Sequence, residues 1–76
     1  MNQVFLIGKI ITQIEFKFSI NSKNISIASF TIKTLDNQII NVKAYNEKAD
    51  YIYRKFKNSD NIVIYGCLKT DGSVAI

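Results

Sequence analysis

A chain of 76 residues that is 47% apolar, 21% charged and 12% aromatic suits one small globular domain; it is too hydrophobic for a disordered segment and too short for a two-lobed cleft enzyme. It has no His and one Cys, Cys67, which rules out an internal disulfide and imidazole acid–base chemistry and argues against a tetrahedral zinc site, so no metal or cofactor is expected. Lys and Arg number 10 against 6 Asp and Glu, leaving a net charge of +4 that favours a polyanionic partner.

The elements can be read in chain order. Val4 to Ile20 is dominated by Ile, Phe and Val, with Phe16 and Phe18 alternating against Glu15 and Lys17, which is strand chemistry. The run is too long for one flat strand, and Gly8 is the predicted point of bending. Lys9, Thr12, Gln13, Glu15 and Lys17 break its apolar character well before the ~20 residues of a membrane span, so a cytoplasmic protein without a membrane partner is expected. Asn21-Ser22-Lys23-Asn24 is a turn signal. Ile25 to Thr34 is a second strand, and Leu35-Asp36-Asn37 is short enough for a hairpin. Gln38 to Tyr45 is a third, with Ile40, Val42 and Ala44 on the core face and Ile39, Asn41, Lys43 and Tyr45 on the other.

The period then changes. From Asn46 to Lys57 the apolar residues Ala49, Ile52, Tyr53 and Phe56 form one helical stripe, placing Tyr53 in the core. Asn46 is the predicted N-cap, Glu47 suits the first turn, Arg54, Lys55 and Lys57 suit the last, and Asn58 suits the left-handed position after it. Ile62 to Leu68 is a fourth strand, in which Cys67 reads as a small buried hydrophobe. Asp71-Gly72 turns into a short fifth strand, Ser73 to Ile76. Three strands, a helix and two strands form the arrangement of an all-β, five-stranded, partly open OB-fold barrel, here one domain over residues 1–76, with the helix plugging one end.

Asn2-Gln3-Val4-Phe5-Leu6-Ile7-Gly8-Lys9-Ile10 resembles the N-x-V-x-L-I-G-[KR]-[LI] opening of the bacterial single-stranded DNA-binding protein (SSB) family, and Ile14-Glu15-Phe16-Lys17-Phe18 resembles that family's P-E-[LV]-R-[YF] segment. Ala28-Ser29-Phe30-Thr31-Ile32 resembles A-x-F-x-[LV], and Val42-Lys43-Ala44-Tyr45-Asn46 resembles V-[AV]-[WF]-G. Tyr53-Arg54-Lys55-Phe56-Lys57-Asn58-Ser59-Asp60 resembles the family's helix end, and Val63-Ile64-Tyr65-Gly66-Cys67-Leu68-Lys69-Thr70 resembles V-x-[IV]-E-G-x-L-[RK]-T. The resemblance implies a binder of single-stranded DNA that stacks bases on aromatic rings. It also implies a homo-oligomer, dimer or tetramer, in which the first strand pairs with its two-fold mate. The chain departs from the pattern in having no Trp: Ile39 falls at a Trp-bearing position, while Tyr45 keeps the ring before the helix. Glu47 reverses the sign of a basic position, and the hairpin loops are short. The overall likeness is to a minimal, tail-less core of the primosomal replication protein B type.

Catalysis has little to use. The acids are scattered, no Gly-rich phosphate loop is present, and neither an enzyme nor a small-molecule substrate is expected. Binding single strands needs a basic groove and flat rings, and Lys43 and Tyr45, two apart on one strand, share a face and supply both. Lys17 and Phe18 are adjacent, so only one of them reaches the groove. Lys33, Lys9, Lys69 and Lys57 are further candidate phosphate contacts. The first strand carries apolar residues on both faces, so Val4, Phe5, Leu6 and Ile7 are the predicted oligomer interface. The expected function is sequence-tolerant binding of single-stranded DNA in replication, recombination or mobile-element maintenance. The alternative is an OB-fold protein-interaction module that has lost most DNA binding along with its Trp residues. An RNA-binding cold-shock-like barrel fits less well, since its aromatic-rich motif is missing.

Overall fold

The computed structural model describes residues 2–19 and 24–76. Its elements are β1 (Val4–Ile10), β2 (Glu15–Ser19), β3 (Ile25–Thr34), β4 (Ile39–Tyr45), α1 (Glu47–Lys55), β5 (Asn61–Leu68) and β6 (Val74–Ala75). The predicted turn at 21–24 lies outside the described residues except for Asn24, which has a φ of 46°.

The long first segment is two strands, and the corner between them is at residues 11–14 rather than at Gly8. The corner is held by side-chain chemistry. Ile11 N–H donates to the Thr31 carbonyl at 2.9 Å, and Thr31 N–H donates to Thr12 Oγ1 at 3.0 Å, so a hydroxyl replaces a ladder partner where the chain bends. Gly8 has a different task. β1 pairs with β5 over Val4 to Lys9 and with β3 over Gly8 to Ile10, so Gly8 sits where the two pairings meet. A Cβ there would lie 2.8 Å from the Lys33 carbonyl oxygen, which only glycine avoids.

The sheet runs β1-β5-β6-β4-β3-β2 and closes through β1–β3. Taken as two halves of one bent strand, β1 and β2 make this a closed five-stranded barrel with one helix before β5, which is the OB-fold. Closure is more complete than the short last strand implied. β6 pairs with β4 in parallel and with β5 antiparallel, and Ile76 N–H donates to the Lys43 carbonyl at 2.9 Å. Gly66 permits this, since a Cβ there would lie 2.3 Å from the Ala75 carbonyl oxygen.

The core is built from one parity of each strand. Ile10, Ala28, Ile32, Val42 and Ala44 have no exposure at all, and Phe30, Ile62, Ile64 and Val74 join them. In β3 the inward residues are Ala28, Phe30 and Ile32, so Ile25 and Ile27 point outward despite their chemistry. Each fully buried aliphatic side chain contributes roughly 1.5–3 kcal/mol of transfer free energy, which the small barrel needs.

The helix covers one end with Ala49 and Ile52, and Phe56 packs partly against the same cluster. Its cap differs from expectation. Asn46 sits at the N-cap with φ 56° but makes no side-chain cap bond; its N–H donates to the Ser26 carbonyl at 2.8 Å, anchoring the helix start to β3. After the helix, Ser59 (φ 83°), and not Asn58, takes the left-handed conformation. Tyr53 is not core: it is 52% exposed and rests against Phe16, with ring centroids 4.9 Å apart, because the barrel end is only wide enough to cover part of the stripe. Cys67 is exposed as well, since β5 points Ile62 and Ile64 inward and Val63, Tyr65 and Cys67 outward. No helix among the described residues is long and apolar enough to cross a membrane.

Candidate nucleic-acid interface

The outward parity of β2, β3 and β4 forms one continuous face, and the strand register sets its rows. Lys17 lies opposite Ile27, and Ile27 opposite Tyr45, which puts all three side chains in one line across the sheet. The next row is Glu15, Ser29 and Lys43, and the one after that is Thr31 and Asn41. A fourth row, Lys9, Lys33 and Ile39, follows where β1 joins β3. Adjacent rows on a strand are two residues apart, about 6.6 Å.

Tyr45 and Lys43 are half-buried on this face, neither in the barrel interior. Lys69, at the start of the turn between β5 and β6, reaches over the sheet edge and places its Nζ 5.5 Å from the centre of the Tyr45 ring. That turn is braced internally. Asp71 Oδ1 accepts from Ser73 N–H at 2.9 Å and from Ser73 Oγ at 2.6 Å, and Lys69 N–H donates to the Ser73 carbonyl at 2.7 Å. The Ser73 bonds, with a smaller contribution from the Lys43 charge, hold the Asp71 carboxyl below its ordinary pKa. The face is therefore mixed in charge. Lys17 and Lys69 attend Tyr45, Lys9 and Lys33 stand together further along, and Glu15 and Asp71 share a concavity with Lys43.

The structure brings Tyr45, Lys43, Lys17, Lys69, Lys33 and Lys9 to this face, and it leaves two candidates off it. Phe18 has the opposite parity from Lys17; it pairs with Ser26 beyond the end of the core and is 56% exposed there. Lys57 belongs to the turn after α1, where its N–H donates to Asp60 Oδ2 at 2.9 Å, in a group with Gln13, Tyr53 and Phe56. Ile27, which the sequence pattern does not single out, joins Lys17 to Tyr45 as an apolar floor, and it takes both the β2–β3 and the β3–β4 register to reveal it.

Across the barrel lies a second surface, which is apolar. Phe5 is paired with Tyr65 and Ile7 with Val63, and the Phe5 and Tyr65 rings are 4.8 Å apart. These four are 51%, 72%, 43% and 56% exposed in the order Phe5, Tyr65, Ile7, Val63. Of the predicted interface residues, Phe5 and Ile7 thus point outward. Val4 and Leu6 pack inward on the core, because a strand shows a partner only one of its two faces. The edge of β1 from Val4 to Ile7 that faces away from β5 pairs with no strand among the described residues.

Fold and face together define an OB-fold barrel with a basic, ring-bearing strand surface. No protein-family model and no curated protein matches the sequence. The fold does have solved counterparts. The chain is similar to the SSB domain of a protein from Synechococcus sp., with a TM-score of 0.88 at 12% identity, covering 99% of this chain and 89% of that one. It is also similar to the second single-stranded DNA-binding protein from Mycobacterium smegmatis, with a TM-score of 0.81 at 16% identity, covering 99% of this chain and 80% of that one. At these identities the likeness is one of fold.

Proposed function

We propose that the protein binds single-stranded DNA on the outer face of β2, β3 and β4, as an SSB-like barrel acting in replication, recombination or mobile-element maintenance. The observation that carries this reading is the row Lys17–Ile27–Tyr45 with Lys69 above the ring. It joins a stacking platform to phosphate-binding charge on the surface where OB-folds bind oligonucleotides, and beside the loop they use. The names of the two structural counterparts support the same reading. Bases stack on Tyr45 and Ile27 while Lys17 and Lys69 hold the flanking phosphates, and Lys9 and Lys33 extend the track. Phosphates and π-faces carry no code, so most of the binding tolerates any sequence.

Self-association is part of the proposal. The paired Phe5/Tyr65 and Ile7/Val63 surface, with the open β1 edge beside it, suits a second copy of the chain. Sedimentation at increasing concentration tests this, and a monomer throughout refutes it. Fluorescence anisotropy with a labelled oligo-dT across ionic strength tests the main reading. Affinity that falls steeply with salt supports phosphate contacts; a flat response refutes them. The interaction-module alternative rests on the single ring and the two acids of the face, and absence of binding at low salt favours it.

A further inference from the structure

The concavity beside Tyr45 has a chemistry that phosphate binding does not explain. It is about 270 Å³, slightly below the ~300 Å³ at which pockets for drug-sized ligands begin, a size that suits a small polar group. Glu15 and Lys43 flank Ser29 in one row of the sheet, Asn41 lies one row further along, and Asp71 stands over them from the turn before β6. Among the described residues, the Glu15 carboxylate, the Lys43 ammonium and Asp71 Oδ2 have no hydrogen-bond or ion-pair partner. Asn41 Oδ1 accepts from Thr31 Oγ1 at 3.0 Å, which fixes its amide and leaves the NH2 group to donate. The hollow is therefore a ring of unused donors and acceptors on a face that otherwise offers charge and stacking.

Two carboxylates against one ammonium repel a phosphate group. They attract neutral donors, and a base edge is the donor source that a bound single strand brings. The standard bases differ here. A carboxylate can accept two adjacent N–H groups from guanine, N1–H and the N2 amino group, and from no other standard base. Guanine O6 lies beside N1–H and needs a donor, which Lys43 or the Asn41 amide supplies. Thymine presents one N–H between two carbonyls, and cytosine and adenine present a lone amino group beside an acceptor nitrogen that the carboxylates repel.

We propose that the hollow formed by Glu15, Ser29, Asn41, Lys43 and Asp71 is a guanine-selective subsite, in which the Glu15 carboxylate receives N1–H and the N2 amino group while O6 accepts from Lys43 or Asn41. This rests on the reading of the face as a single-strand interface and departs from it at one position, where sequence is read. Asp71 Oδ1 already accepts two bonds within its own turn, whereas the Glu15 carboxylate has no partner among the described residues, so Glu15 is the residue to test.

The experiment compares oligo-dT with the same oligonucleotide carrying one isolated dG, dA, dC or deoxyinosine, a spacing that prevents quadruplex formation. One dG tightens binding about five- to tenfold, toward the lower end of the discrimination of a bidentate base contact. Deoxyinosine, which lacks the N2 amino group, loses most of that gain. Glu15→Gln abolishes the dG preference and at the same time tightens binding to pure oligo-dT, because it removes a negative charge facing phosphates. Equal affinity for dG and dT, an inosine that equals dG, or a Glu15→Gln protein that keeps the preference each overturn the subsite while leaving the single-strand reading intact. Absence of binding to pure oligo-dT instead overturns the single-strand reading itself.

Discussion

Replacing Tyr45 with Ala tests the stacking platform, and the structure sets the size of the effect. A base stacked on a protein ring contributes about 1–3 kcal/mol by alanine substitution. In the free protein the ring is already engaged, since Lys69 Nζ lies 5.5 Å from its centre, and an exposed cation–π contact of this kind is worth about 0.5–1 kcal/mol. A base that takes the ring gives up that contact and frees Lys69 for a phosphate. The net contribution of Tyr45 is then about 1–2 kcal/mol, and Tyr45→Ala weakens oligo-dT binding roughly 5- to 30-fold. Tyr45→Phe keeps the π-face and stays close to the parent protein. Anisotropy titration at low salt reads the affinities, and thermal melts confirm folding, which a half-buried outward ring perturbs little. An Ala variant that binds within twofold of the parent refutes the platform.

Other residues give further outcomes. For single strands the slope of log affinity against log salt is about −0.7 per phosphate contact, so Lys17→Glu and Lys69→Ala each flatten it by about 0.7, which titrations at several salt concentrations detect. Lys57→Ala, away from the face, leaves the slope unchanged. Gly66→Ala forces a Cβ to within 2.3 Å of the Ala75 carbonyl oxygen, so β6 must separate from β5; a loss of about 2 kcal/mol or more, seen as a lower Tm, is expected. The Asp71 carboxyl titrates below its ordinary value near 3.8, so its contribution to stability is present above that pH and is lost as the pH falls through the folded-state value. Asp71→Asn therefore lowers stability across neutral and alkaline pH and flattens the acid limb of the curve, as pH-dependent melts will show.

Much of the barrel is legible in the amino-acid sequence. β3 runs from Ile25 to Thr34, as its turn signals imply, and β4 alternates so regularly that Val42 and Ala44 inside, Lys43 and Tyr45 outside, follow from parity alone. What escaped depends on partners distant in sequence. The corner at residues 11–14 relies on Thr12 capping Thr31, a bond that no local pattern announces. The closure through Val74–Ala75 depends on pairing with two strands at once. Tyr53 fits the helical stripe, yet the barrel end covers only Ala49, Ile52 and part of Phe56. On the candidate face, strand parity alone puts Lys43 and Tyr45 side by side, but neither Ile27 between Lys17 and Tyr45 nor the grouping of Glu15, Lys43 and Asp71 is visible without the register.

Backbone amide chemical-shift mapping of the labelled protein against oligo-dT tests most directly where a strand lies. The account places the largest shifts at Lys17, Ile27, Ser29, Tyr45 and Lys69, with little change along the Phe5 and Tyr65 surface. Shifts confined to that apolar surface, or none at saturating oligonucleotide, contradict it.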